Sequence, residues 1–138
     1  MCLYNLLKGV RIVRAHMKKK VKKLKTIGQL KKQADRALQD FFRKIKTKCE
    51  ICKNPYQVAH HFIKKSQSNY LRYDIKNLIF ICQSCHSKFH SFSDALMTVW
   101  VYRLRGAKWM KYIEKHRHLL KKDNREELMK IIRKYGLK

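Results

Sequence analysis

The spacing of hydrophobic residues along the chain predicts helices over most of its length. Apolar residues recur at i, i+3, i+4 and i+7 over residues 1–25, and again from Thr26 to about Lys46, which is the spacing of an amphipathic helix. The apolar stripe of the second helix consists of Ile27, Leu30, Ala34, Leu38, Phe41 and Ile45. The same period predicts three further helices, at 94–104, 107–120 and 125–135.

A different pattern separates these two groups of helices. Residues 58–63 and 78–81 are short apolar-rich runs typical of β-strands, and residues 83–92 have the spacing of a short helix. Glycine and proline are scarce, at four residues and one, which disfavours a β fold with many turns. The pattern therefore predicts an α+β fold, mostly helical, with a small ββα centre flanked by helices.

The flanking helices are strongly basic. The chain has 35 Lys and Arg against nine Asp and Glu, for a net charge of +26, and self-repulsion of this size calls for a polyanionic partner. Nucleic acid is the first candidate and an anionic membrane surface the second. The lysine run at 18–25 is either a solvated helix face or an arm that contacts phosphates. No apolar run approaches the roughly 18 residues of a membrane-spanning helix, so we expect a soluble, intracellular protein.

These features divide the chain into three segments. We expect a basic helical N-terminal segment at 1–46, a core at 47–92, and a basic helical C-terminal segment at 93–138 that folds with the core as one unit.

Four of the five cysteines form two C-x-x-C pairs in the core segment. Cys49 and Cys52 are separated by 29 residues from Cys82 and Cys85, and Cys2 is left over with no predicted role. A two-residue gap lets both thiolates of a pair reach one ion, and two such pairs complete a tetrahedral zinc site. Disulfides would need an oxidising compartment, and one redox pair would not explain two motifs. We therefore predict a structural zinc.

Four histidines lie in the same segment. His86 and His90 are four residues apart and share one face of the short helix, so both can reach one ion, whereas Cys85 points elsewhere, towards the zinc. Adjacent residues of a strand point to opposite faces, so His60 and His61 cannot be equivalent ligands of one ion. One ligand and one base is the division that fits this geometry.

Residues 49–92 resemble the HNH endonucleases (His-Me finger, ββα-metal) in their zinc-knuckle form. The motifs that carry the resemblance are CEIC, AHHF, the Asn of KNLIFIC, and CQSCHSKFH. The double His, the Asn nine residues before the helical His, and H-x-x-x-H are also similar to colicin-type DNases. A wider similarity, from Leu30 to about Tyr112, is to phage recombination proteins of the NinG kind, which have Gly-His where this chain has His60-His61.

The resemblance implies a role for each matching residue. His61 would be the general base, oriented by Asn77, and His60, His86 and His90 would bind one divalent cation. Its identity stays open among magnesium, manganese, nickel and zinc.

Each of these residues also has a purely structural interpretation. Asn77 could cap a turn, and His90 could be a packing residue. Arg72 would contact phosphate or belong to a structural turn with Asp74, and Lys64 and Lys65 are further candidate DNA contacts.

The leading hypothesis is a metal-dependent DNA endonuclease that nicks or cuts both strands. We expect it to be phage-encoded, to act in the cytoplasm of the bacterial host cell, and to work with phage recombination, replication or packaging proteins. The alternative is a zinc-stabilised DNA-binding accessory protein with an inactive HNH centre.

Overall fold

The fold is described here from a computed structural model for residues 23–91 and 94–136. Within these ranges the order of elements is α1 (Ile27–Ile45), β1 (Val58–His61), a 3-10 turn (Ile75–Asn77), β2 (Leu78–Ile81), α2 (Gln83–Ser91), α3 (Asp94–Arg117) and α4 (Arg125–Gly136). Cys2 and nearly all of the helix predicted at 1–25 lie outside the described residues. The α+β, mostly helical class predicted from the sequence is confirmed.

Helix α1 begins at a capping box. The Thr26 hydroxyl accepts a hydrogen bond from the Gln29 backbone N–H, and the Gln29 side chain accepts one from the Thr26 backbone N–H, which satisfies two of the helix's unpaired donors. The predicted stripe is correct except at its C-terminal end. There Phe42 is buried, whereas Phe41 is only partly buried and Ile45 is 54% exposed. The buried positions repeat every four residues: Leu30, Ala34, Leu38 and Phe42.

Strands β1 and β2 form a two-stranded antiparallel sheet in which His61 pairs with Leu78 and Val58 with Ile81. Strand β2 has the predicted bounds, whereas β1 ends two residues before the predicted Ile63. It ends there because the backbone beyond His61 bonds to the Asn77 region instead, with the Phe62 N–H donating to the Asn77 carbonyl oxygen at 2.8 Å.

All four residues of β2 are buried, two on each side of the sheet. Leu78 and Phe80 pack with α1 and α4, whereas Ile79 and Ile81 pack with the cysteines and α3. The sheet is therefore enclosed between two helical layers. This explains why β2 reads as a continuous apolar run without alternation.

Helix α3 is interrupted at Gly106, between the two helices predicted at 94–104 and 107–120. Gly106 has φ +77° and ψ 178°, a backbone conformation that is essentially restricted to glycine. Helix α4 begins after Asn124, whose side chain accepts a hydrogen bond from the Glu126 N–H, the bond that an N-cap residue makes. It packs along α1 through Leu128 and Tyr135.

Within the described residues, no helix is long and apolar enough to cross a membrane.

The backbone at Gly106 gives a prediction for stability. A Cβ at this position would meet nothing within 4 Å, so Gly106→Ala should destabilise the protein through backbone strain alone, by about 1–3 kcal/mol. Gly28→Ala is the matched control, because Gly28 lies inside α1 and an alanine there should stabilise by about 0.5–1 kcal/mol. Urea unfolding of both variants measures the difference, and equal midpoints would contradict the assignment of strain.

Candidate active site and metal centre

The four paired cysteines meet at one point. Their sulfur atoms all lie within 4.8 Å of one another, and the Cys52 and Cys82 sulfurs are 3.5 Å apart. Tetrahedral zinc with Zn–S bonds of about 2.3 Å places its sulfurs roughly 3.8 Å apart. The donor set and its spacing therefore fit a structural zinc.

Each C-x-x-C pair is shaped by its local backbone. The first pair lies in a tight turn in which the Lys53 N–H donates to the Cys49 carbonyl oxygen at 3.1 Å and Lys53 takes a positive φ of 66°. The second pair spans the start of α2, where the Cys85 N–H points at the Cys82 sulfur at 3.5 Å. These two turns bring the sulfurs of both pairs to one point.

The thiols of this cluster differ in acidity. Burial raises the pKa of Cys49, but backbone hydrogen bonds, those of Cys52 and Cys82 foremost, outweigh it and bring that pKa to about 7. Burial raises the pKa of Cys85, and the neighbouring thiols raise it further. Crowded thiols of this kind stabilise one another poorly as anions, and a divalent cation supplies the missing positive charge.

Glu50, inside the first C-x-x-C, joins the cysteine cluster to the rest of the fold. One of its carboxylate oxygens accepts from the Phe80 N–H of β2 at 3.0 Å, and both accept from the Arg105 guanidinium of α3 at 2.6 Å. The Arg105 side chain also donates to the carbonyl oxygen of Lys76. No sequence pattern predicts this pair, because its members are 55 residues apart and carry no motif.

A second cluster consists of His60, His86 and His90, whose ring nitrogens lie within 4.8 Å of one another. The Nε2 atoms of His86 and His90 are 3.2 Å apart, and the His60 ring stacks on Phe89 with ring centroids 4.6 Å apart. Burial and the neighbouring His90 lower the pKa of His86, which favours the neutral imidazole that ligates metals. The structure thus brings together the three residues predicted as ligands of the second ion.

The two adjacent histidines of β1 do point to opposite sides. His60 joins the cluster near α2, whereas His61 is only 9% exposed and turns towards α1 and the turn around Arg72. The His61 Nε2 atom lies 2.8 Å from the Arg72 carbonyl oxygen. A carbonyl can only accept, so Nε2 carries the hydrogen and Nδ1 keeps its lone pair. Burial lowers the pKa of His61, only partly offset by this hydrogen bond, so the ring is held neutral.

Asn77 acts on the backbone beside His61, because its side chain bonds to backbone groups and not to the imidazole. It is fully buried; its side-chain oxygen accepts from the Ile63 N–H at 2.7 Å, and its NH2 group donates to the carbonyl oxygens of Ile63 and Leu71 at 3.0 and 3.1 Å. The predicted orienting effect on His61 therefore has only an indirect route, through the two backbone segments on either side of the imidazole.

Of the three residues predicted to contact DNA, Lys64 and Lys65 line an open cleft together with the histidines, and Arg72 contacts His61 through its carbonyl oxygen. Arg72 forms a forked ion pair with Asp35 of α1, with N–O distances of 3.2 and 2.7 Å, and Lys65 donates to Asp35 at 3.2 Å. Lys64 lines the cleft beside the histidines. Asp74 accepts from the Lys76 N–H at 2.8 Å and from the Tyr112 hydroxyl at 2.5 Å, so it belongs to the structural turn.

Comparison with protein families agrees with this geometry, in which a cysteine knuckle and a histidine cluster share one ββα unit. Residues 49–92 match the HNH family model, described as HNH endonuclease. The match confirms the resemblance for this segment and supports a nuclease or DNA-binding function in general. A search of curated proteins and a search of solved structures each found no match. The similarity to NinG-like proteins stays a prediction.

The cysteine cluster predicts that metal and fold are lost together. We expect Cys82→Ser to abolish zinc binding and cooperative thermal unfolding, because in small zinc domains a binding free energy of about 10 kcal/mol or more is also folding free energy. Elemental analysis of the purified chain and a circular dichroism melt measure both effects. Cys2→Ser is the control and should keep the zinc content of the wild-type chain. A Cys82→Ser protein that keeps its zinc and its melting temperature would contradict the assignment.

Asn77 gives a second prediction. Asn77→Ala should destabilise the protein by about 3 kcal/mol, because it leaves a buried N–H and two buried carbonyl groups without their partner. Asn69→Ala is the control, since Asn69 is exposed and makes only a surface bond to Asp123, and it should change stability by less than about 0.5 kcal/mol. Chemical unfolding of the zinc-loaded variants tests this. Equal losses of stability in the two variants would contradict the role given to the Asn77 side chain.

Proposed function

We propose that the protein is a metal-dependent DNA endonuclease that hydrolyses phosphodiester bonds by nicking or by cutting both strands. The single observation that supports this most is the meeting of His60, His86 and His90 beside a neutral, oriented His61. These residues line one open cleft of about 470 Å³, which also has Lys64 and Lys65 on its wall.

His61 is the general base in this proposal. Its Nδ1 atom takes a proton from the water whose oxygen forms the new bond to phosphorus. The Nε2–H group meanwhile keeps its hydrogen bond to the Arg72 carbonyl oxygen. The imidazolium that forms is stabilised by that carbonyl, and the phosphorus–O3′ bond breaks in line with the attack. The products carry a 5′-phosphate and, once the O3′ has taken a proton, a 3′-hydroxyl.

The residues that would hold the divalent cation are His60, His86 and His90. A magnesium, manganese, nickel or zinc ion bound there would neutralise the scissile phosphate and stabilise the departing 3′-oxygen. Three neutral imidazoles suit the transition metals, whereas magnesium prefers oxygen ligands.

Affinity for DNA comes from the basic surface. A net charge of +26 supports binding by counterion release, which is independent of sequence and steeply dependent on salt. Arg72, Lys64 and Lys65 are the proposed contacts nearest the cleft. Arg72 and Lys65 both pair with Asp35, but the Arg72 side chain is only 15% exposed against 44% for Lys65, which favours the lysine as a direct phosphate contact.

The second candidate is a zinc-stabilised DNA-binding accessory protein with an inactive HNH centre. The intact set of His61, Asn77 and three ligand histidines disfavours it. A phage origin, action in the host cytoplasm, and phage recombination, replication or packaging partners belong to the proposal through the sequence resemblance alone.

Cleavage of supercoiled plasmid tests the proposal. The zinc-loaded chain is incubated without added metal and then with magnesium, manganese, nickel or zinc, and nicked and linear products are quantified. We expect metal-dependent cleavage that His61→Ala lowers by at least about 100-fold, the scale of a general base, with low-salt DNA binding intact. His118→Ala, at an exposed histidine outside the cleft, is the matched control.

Two results would contradict the assignment. Cleavage by His61→Ala at the wild-type rate would remove His61 as the base. DNA binding by the wild-type chain without cleavage under any of the four metals would favour the accessory protein.

A further inference from the structure

Helix α1 lies outside the segment that matches the HNH family, yet two of its side chains reach the candidate active site. Asp35 and Gln39 are one helical turn apart and therefore share a face of α1. Asp35 contacts Arg72, and Gln39 contacts the backbone of β1 at Ala59. We propose that Asp35 and Gln39 are positioning residues that orient His61 for catalysis. This inference rests on the proposed nuclease function.

Asp35 acts through Arg72. Its carboxylate holds the Arg72 guanidinium in a forked pair, and the two side chains are only 19% and 15% exposed. Burial raises the pKa of Asp35, but Arg72 and then Lys65 outweigh it and keep that pKa below its ordinary value, so the carboxylate stays charged. The carbonyl oxygen of the same Arg72 accepts the His61 Nε2–H. Fixing the side chain of Arg72 restricts the peptide whose carbonyl sets the orientation of the imidazole.

The turn around Arg72 is thus held from two sides. Asn77 bonds the carbonyl oxygen of Leu71, the preceding residue, whereas Asp35 bonds the Arg72 side chain. Asn77 belongs to the HNH segment and Asp35 does not. Within the described residues, α1 therefore supplies half of this clamp.

Gln39 acts through the strand. Its side-chain NH2 donates to the Ala59 carbonyl oxygen at 2.7 Å, and its side-chain oxygen accepts from the Ala59 N–H at 3.0 Å. These are the two bonds that a neighbouring strand would make. Ala59 lies two residues before His61 and faces the same side of β1, so Gln39 fixes the backbone from which His61 projects.

A different role for Asp35 gives a different outcome. If Asp35 served only to balance the charge of Lys65 and Arg72, its removal would strengthen DNA binding and leave the chemical step unchanged. If Asp35 positions His61, its removal slows the chemical step without weakening binding. The rate at saturating enzyme and the Kd for DNA therefore separate the two roles.

The test compares Asp35→Asn with Asp40→Asn in the full, zinc-loaded chain. Asp40 lies on the same helix but forms only an exposed ion pair with Arg43. The Asp40→Asn substitution therefore removes the same charge at a position away from the site. We expect Asp35→Asn to lower the single-turnover cleavage rate by roughly 10- to 100-fold, the effect of a misplaced catalytic group, with Kd unchanged or lower. Asp40→Asn should cleave at the wild-type rate, and Gln39→Ala should be slowed in the same direction as Asp35→Asn.

Nitrogen-15 NMR of the histidine rings gives a readout that does not need cleavage. In the wild-type chain we expect His61 to hold its hydrogen on Nε2, and in Asp35→Asn we expect a mixture of the two tautomers. If the wild-type chain cuts no DNA, the proposed function fails, while this tautomer shift still decides whether Asp35 orients His61.

The inference is overturned if Asp35→Asn is folded, cleaves at the wild-type rate and keeps the His61 tautomer. Should Asp35→Asn not fold, Arg72→Lys decides instead, because lysine keeps the charge and the backbone carbonyl but lacks the fork. A slowed Arg72→Lys variant with a mixed His61 tautomer supports the inference. A wild-type rate with an unchanged tautomer rejects it.

Discussion

The fold depends on the closure of the four-cysteine cluster. Two strands of four residues each are marginal alone, and here they are joined at one end by sulfurs that one metal ion can bind. The cluster holds the turn before β1 against the start of α2, and Glu50 carries the connection on to α3 through Arg105. Because β2 is buried on both sides, helices must also cover it from both directions, and α1 with α4 and α3 do so. An ion bound by the four cysteines would thus fix the frame on which the candidate active site is built.

Neighbouring side chains of β1 and of α2 point in different directions, and this separates groups that have different roles. On β1, neighbouring histidines project to opposite sides, one towards the ligand cluster and one towards the Arg72 turn. On α2, neighbouring residues do the same, with Cys85 in the cysteine cluster and His86 in the histidine cluster. A slip of one residue in the pairing of β1 with β2 would exchange the roles of His60 and His61. The direct pairing of His61 with Leu78, inside an enclosed core, prevents that slip.

What the sequence predicted well was local. The paired cysteines, the spacing of His86 and His90, and the bounds of β2 all follow from residues close together in the chain. The contacts that it did not predict join residues that are distant in the chain and carry no motif. Asp35 and Arg72 are 37 residues apart, and Gln39 and Ala59 are 20 residues apart. Helical period alone also could not choose between adjacent aromatic residues of α1. Both rings contact Tyr135, but Phe42 also packs on Phe80 of β2, with ring centroids 4.7 Å apart, and this contact places Phe42 in the core.

Both tryptophans of α3 fall on apolar stripes of the sequence, yet Trp100 is 48% exposed while Trp109 is buried against Phe62. The helical spacing of apolar residues identifies which residues share a face of a helix, but not which face packs against the rest of the protein.

Gln39 and Glu50, which border the sheet on its two edges, affect how copies of the protein can associate. Ala59 and Phe80 are direct partners across the sheet, and each has its outward backbone groups occupied by one residue, Gln39 on β1 and Glu50 on β2. Exposed strand edges are the usual starting points of edge-to-edge aggregation. At this pair neither strand offers another chain a free N–H and C=O to pair with. That protection does not depend on the net charge of the surface, so it persists when a polyanion neutralises the positive surface that otherwise keeps the copies apart.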